Sequence, residues 1–195
     1  MACQVIVGLS SWIIQDGNYA DVTNGTDAAF AIEFWAEAPL VECGANPTIR
    51  PSRSHLGNAT HDIQGQVAYV ADDWWVIDVG VLAFREEKPP ANVRPGVWLR
   101  GEICLGIDPF FYFERLGHQP GAPALVYDWK VEKICEQTAP LIETKSRVLA
   151  RDPAKLGWRE VNETSAREEL LGEYLLYCTY LNGPRLPKSK RPKSF

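Results

Sequence analysis

The clearest hydrophobic pattern in this chain has a period of two and is concentrated between residues 63 and 113. Ile63-Gln64-Gly65-Gln66-Val67-Ala68-Tyr69-Val70 alternates apolar and polar positions, Asp72-Asp73 supplies a turn, and Trp74 to Val81 is apolar on both faces. Arg85 to Pro95 is a charged, proline-rich connection. Gly96 to Leu105 alternates again, with Val97, Leu99, Ile103 and Leu105 inward and Arg100 and Glu102 outward. Alternation of this kind marks strands with one buried face, and three strands in succession predict a meander. Asp108-Pro109 then turns the chain into the aromatic run Phe110 to Phe113.

The same period recurs on either side. Ala28, Phe30, Ile32, Phe34 and Ala36 share one face with Glu33 and Glu37 opposite, so residues 28–38 read as a strand, and with residues 3–14 they predict a hairpin. Leu125, Tyr127, Trp129 and Val131 alternate with Asp128, Lys130 and Glu132 in a further long strand. Residues 39–62 and 136–157 read as loops. Near the C-terminus, Ser165-x-x-Glu168 is a capping-box pattern, whereas residues 173–181 have strand composition; the reading is a short helix at 165–171 and a closing strand after it.

The predicted fold class is therefore mostly β: an antiparallel small barrel, or an OB-like barrel, with extra strands and one short helix near 165–171. The OB-like element is a resemblance. Gly65 in the first strand, the Asp78-Val79-Gly80 kink in the second and Arg94-Pro95-Gly96-x-x-Leu99-x-Gly101 leading into the third make residues 63–105 similar to the first three strands of an OB-fold barrel. It is a likeness of fold, without a diagnostic motif, and implies no activity by itself.

Composition narrows the class. The chain has 195 residues, 46% of them hydrophobic, enough for one domain with a substantial core. Apolar stretches break well short of the roughly 20 residues that a membrane helix needs. The start of the chain reads as a first strand rather than a signal peptide. The five cysteines Cys3, Cys43, Cys104, Cys135 and Cys178 are dispersed among apolar runs and predict a reducing, cytoplasmic setting. The organisation expected is a β-rich domain over 1–183 and a basic disordered tail over 184–195.

Charge is unevenly spread. Arg185, Lys188, Lys190, Arg191 and Lys193 give the tail a charge of +5, which leaves the body at −10 within the overall −5. An acidic body disfavours a phosphate backbone as its main ligand.

Catalytic motifs are absent: there is no phosphate-binding glycine loop, nucleophile elbow or paired-histidine helix. Cys43, His55 and His61 share a segment, but their spacing matches no compact zinc site, so neither metal nor cofactor is expected. Asp78, set among Val76, Ile77 and Val79, is either a structural hydrogen-bond acceptor or a carboxylate lining a pocket. Trp74 and Trp75 point to opposite faces of one strand, so one of them needs cover beyond a simple barrel. A patch of Trp74, Trp75, Phe110, Phe111 and Tyr112 is thus the expected binding surface, with a protein partner first. The alternatives are single-stranded nucleic acid on an OB-like face with the basic tail, and a small-ligand or enzyme pocket at Asp78.

Overall fold

A computed structural model describes residues 4–17, 19–51, 59–143, 149–165 and 171–188. In chain order the strands are β1 (Gln4–Ser10), β2 (Asp27–Phe30), β3 (Ile32–Trp35), β4 (Val41–Glu42), β5 (Thr48–Pro51), β6 (Thr60–Val70), β7 (Trp75–Asp78), β8 (Leu82–Arg85), β9 (Trp98–Ile107), β10 (Val126–Gln137), β11 (Leu141–Glu143), β12 (Leu149–Arg151), β13 (Trp158–Val161) and β14 (Glu173–Arg185). Among the described residues there are also two short helices, α1 (Ser11–Gln15) and α2 (Phe111–Glu114), and two 3-10 turns, Leu116–His118 and Pro153–Lys155. No helix among the described residues is long and apolar enough to cross a membrane.

Five strands close into a small barrel. Strand β6 pairs with β7, β7 with β8, β8 with β3, β3 with β9, and β9 returns to β6. All these pairs are antiparallel except β3–β8, which is parallel, so the barrel is mixed rather than antiparallel. The sheet continues outward from β9 through β1, β14, β10 and β13.

The meander is present, but the apolar stretch 74–81 is two strands, not one. A turn at Val79-Gly80-Val81 separates β7 from β8, with Gly80 at φ 101°, a region where only glycine is unstrained. Gly65 lies under that crossing: a Cβ there would stand 2.5 Å from the Asp78 carbonyl oxygen and 2.7 Å from Val79 Cγ1. Gly65→Ala should therefore cost about 2 kcal/mol, the scale of overpacking in a rigid core, read as a lowered urea midpoint at unchanged slope.

Three other expectations are revised. Residues 28–38 divide at Ala31 into β2 and β3, and neither pairs with the N-terminal strand; β2 joins β10, while β1 joins β14 and touches β9. In place of the predicted hairpin, β1 has β14 and β9 as its neighbours, β2 has β10, and β3 has β8 and β9. Residues 39–62 contribute β4, β5 and the start of β6, and residues 136–157 the small β11–β12 pair, so neither is all loop. The closing strand extends past residue 181 to Arg185, which bonds Asp128 at 2.8 Å, and Pro187 is buried against Gly117. The tail boundary at 184 thus falls inside ordered structure. The helix expected at 165–171 lies, for residues 166–170, outside the described residues.

One cluster forms the main core, from Val5, Val7 and Leu9 through Phe34, Trp75, Ile77, Leu99 and Leu105 to Trp129 and Leu176. A second cluster lies on the other side of the β7–β8 hairpin. Trp74, Val76 and Phe84 pack there against Tyr112, Leu116, Leu125 and Val126. The two neighbouring tryptophans are both buried, one in each cluster, at 0% and 2% exposure.

Candidate functional site

Trp74 donates its indole N–H to Gln119 Oε1 at 2.8 Å, and Tyr112, fully buried, donates to the Pro123 carbonyl at 2.6 Å. Phe110 is buried and stacks on Tyr19 at 5.6 Å. Of the expected aromatic patch only Phe111 is substantially exposed, so the cover for Trp74 comes from this chain's own α2 and the residues after it. Asp78 is exposed at the end of β7, where its Oδ1 accepts the Gly80 N–H at 2.9 Å and shapes the turn. In the tail, Arg185 is engaged with Asp128, Lys188 is exposed, and Lys190, Arg191 and Lys193 lie outside the described residues.

A different place gathers chemistry. Because strand side chains alternate, the residues of β14, β1, β9 and β3 that do not face the core face outward together. Register aligns Leu175 with Gly8, Gly8 with Gly106, and Gly106 with Glu33, while Ser10 stands opposite Glu173 and Trp35 opposite Cys104. Two glycines in mid-strand leave a floor without side chains, the usual reason for glycine inside a strand being close approach of another group. The Trp35 ring takes part of that space, lying where a Gly106 Cβ would be only 2.8 Å away.

Around this floor is a cleft of about 420 Å³. Its walls carry Glu33, Glu37 and Glu173, the indoles of Trp12, Trp35 and Trp158, and Gln137 and Cys104. Trp12 and Trp35 are 49% and 46% exposed, a large apolar area left to solvent at the rim. Among the described residues, no lysine, arginine or histidine lines the cleft.

The electrostatics follow from burial. Partial burial, reinforced by the charge of Asp108 and eased by Arg85, pushes the Glu33 carboxyl up to about 7. Glu173 is likewise raised by burial, although the Ser10 hydroxyl donates to both of its oxygens at 2.9 and 2.8 Å and Arg151 opposes the shift. Both arginines act from outside the cleft lining and are bonded elsewhere: Arg85 bonds Glu87 at 2.5 Å, and Arg151 donates to the carbonyls of Ala139 and Leu171. The cleft wall also holds two buried polar atoms with no partner, Gln137 Oε1 and Trp158 Nε1.

None of these cleft residues stood out in the sequence. Glu33 showed only as the solvent face of a strand, and Gln137, Trp158 and Glu173 join it from positions more than 100 residues away. The one local signal was glycine at positions 8 and 106 inside apolar runs.

His61, outside the cleft lining, is buried. Its Nδ1 donates to the Ala59 carbonyl at 2.9 Å and its Nε2 accepts the Ile6 N–H at 3.3 Å. Burial pushes it down to about 4, so it is a neutral structural imidazole. No protein-family model matches this sequence, and no curated protein or solved structure matches it either.

Proposed function

We propose that this is a non-enzymatic binding protein whose acidic, tryptophan-walled cleft receives a cationic side chain, ammonium or guanidinium, from a protein partner. The observation that carries this reading is the pairing of carboxylates with indole faces in a cleft whose lining supplies no cation. A cation held over an indole face and beside a carboxylate meets two favourable fields at once. It also relieves the cost of keeping Glu33 and Glu173 partly out of water. A protein is favoured as the source because half-exposed Trp12 and Trp35 frame the rim, and tryptophan is among the residues that anchor protein interfaces.

The test is titration with Nα-acetyl-arginine methylamide and its lysine counterpart, followed by tryptophan fluorescence, against the neutral norleucine analogue. The basic ligands should bind and the neutral one should not. Glu33→Gln with Glu173→Gln should weaken binding about tenfold or more, the scale of losing one charge-assisted hydrogen bond. Because Glu33 holds its proton up to about 7, a cation must displace that proton below this pH. Affinity should therefore fall as pH drops from 8 to 6, and Glu33→Gln should flatten the profile. Equal binding of the neutral analogue, or indifference to both substitutions, would sink the reading.

A nucleic-acid role through an OB-like face draws on the five-strand closure of the barrel. A fluorescent single-stranded oligonucleotide titrated at low salt tests it; no binding there ends it.

A further inference from the structure

Gln137 and Trp158 are directly opposed on β10 and β13, and both line the cleft. One offers an unpartnered acceptor, Gln137 Oε1, and the other an unpartnered donor, Trp158 Nε1. Buried polar atoms are nearly always paired, so each orphan calls for an explanation. A neighbouring acceptor and donor complement a group that presents one N–H and one C=O, which is what a peptide unit does. We propose that Gln137 and Trp158 recognise a main-chain amide of the partner segment whose basic side chain enters the cleft, so that the site reads a peptide and not merely a cation. This inference rests on the cation reading above.

The chemistry fits the layout. Gln137 and Trp158 stand on the β10–β13 side of the cleft, while Glu33 stands across the sheet on β3, beyond β14, β1 and β9. Four strand spacings, about 19 Å, exceed the reach of one side chain, so a residue whose backbone meets Gln137 and Trp158 presents its charge to Glu173 on the adjoining β14. Both orphan atoms are shut from solvent in this conformation, so an entering amide engages them by turning the two side chains outward.

Three ligands separate the outcomes: Nα-acetyl-arginine methylamide, which carries cation and amides; propylguanidinium, which carries the cation alone; and the neutral norleucine methylamide. The proposal expects the first to bind at least fivefold tighter than the second. Trp158→Phe, which keeps an aromatic ring but removes the donor, and Gln137→Ala should each shrink that ratio towards one. In the unaltered protein, the indole N–H resonance that disappears in Trp158→Phe should shift on adding the amide ligand and stay in place with propylguanidinium. Equal affinity of the two cationic ligands, or an unmoved Trp158 resonance, overturns the peptide reading and leaves cation binding standing. If neither cation binds, the cation reading itself has failed, and this inference with it.

Discussion

Trp74→Ala is expected to destabilise the protein by about 4 kcal/mol, the upper range for truncating a buried aromatic. Trp74 has no exposed surface and is the central member of the second cluster, touching Tyr69, Phe84 and Tyr112 ring to ring at 4.8, 6.4 and 6.5 Å. Its removal opens a cavity under α2 and strands the Gln119 side-chain oxygen. The loss falls on one face of the β7–β8 hairpin, because Trp75 belongs to the other cluster. Denaturant unfolding should show the lowered midpoint. Hydrogen exchange of the amides of α2 should accelerate beyond what global destabilisation accounts for, since that segment owes its position to this contact. A cost below about 1 kcal/mol, the range of a surface substitution, would mean that the cover is held by something other than Trp74.

Asp108→Ala should cost about 3 kcal/mol, and Asp108→Asn considerably less. Asp108 is fully buried, and its Oδ1 accepts the N–H groups of Phe110 and Tyr112 at 2.9 and 3.2 Å while Oδ2 accepts that of Phe113 at 3.2 Å. These bonds hold Phe110 at φ 102°, a left-handed conformation that is strained for a residue with a side chain. Alanine leaves three backbone donors with no acceptor, each a buried polar group whose abandonment costs of order 1 kcal/mol or more. Asparagine keeps one acceptor oxygen for Phe110 and Tyr112 and gives up only the bond to Phe113.

The two variants also differ in pH response. Burial pushes Asp108 up to about 6 against the backbone donors that pull it down, and the folded protein therefore holds a proton there that the unfolded chain releases nearer pH 4. A raised acid contributes stability below the unfolded value, and that contribution is lost as pH rises through the folded one. Stability of the unaltered protein relative to Asp108→Asn should thus decline between pH 4 and 6. His61 works in the opposite sense: lowered to about 4, it contributes stability above its unfolded value near 6.5, and this is lost as pH falls towards 4. The comparison with Asp108→Asn cancels His61, which both proteins share. A difference that is flat over this window would mean that Asp108 titrates in the fold as it does in the unfolded chain.

Alternation was the most legible property of the chain. The inward set Val97, Leu99, Ile103 and Leu105 contains three residues buried to 1% or less, and Leu125, Tyr127, Trp129 and Val131 are buried as their spacing implies. The two-faced apolar stretch at 74–81 also told the truth about itself: it needed cover on both sides and has it. What covered Trp74 was not legible, because Phe110 to Phe113 reads as a hydrophobic run in any conformation. It is the buried carboxylate of Asp108, gathering successive N–H groups, that bends the run into a short helix over the barrel. Asp78 was singled out because its neighbours in sequence are apolar, yet its own side chain falls on the exposed end of its strand and only closes a turn.

By itself, then, the sequence determined which faces of which strands would be buried, since that depends on side-chain type and a period of two, both local. It determined as well that the chain would be mostly β and would form a small barrel with added strands. Tertiary structure alone decided the partners of each strand. The parallel β3–β8 pair closes the barrel, and the β14–β1–β9–β3 row brings Glu173, Ser10, Gly8, Gly106 and Glu33 to one cleft. The physical reason is that strand pairing uses backbone groups that every residue carries, so a sequence can say that a strand exists without saying which other strand will satisfy it.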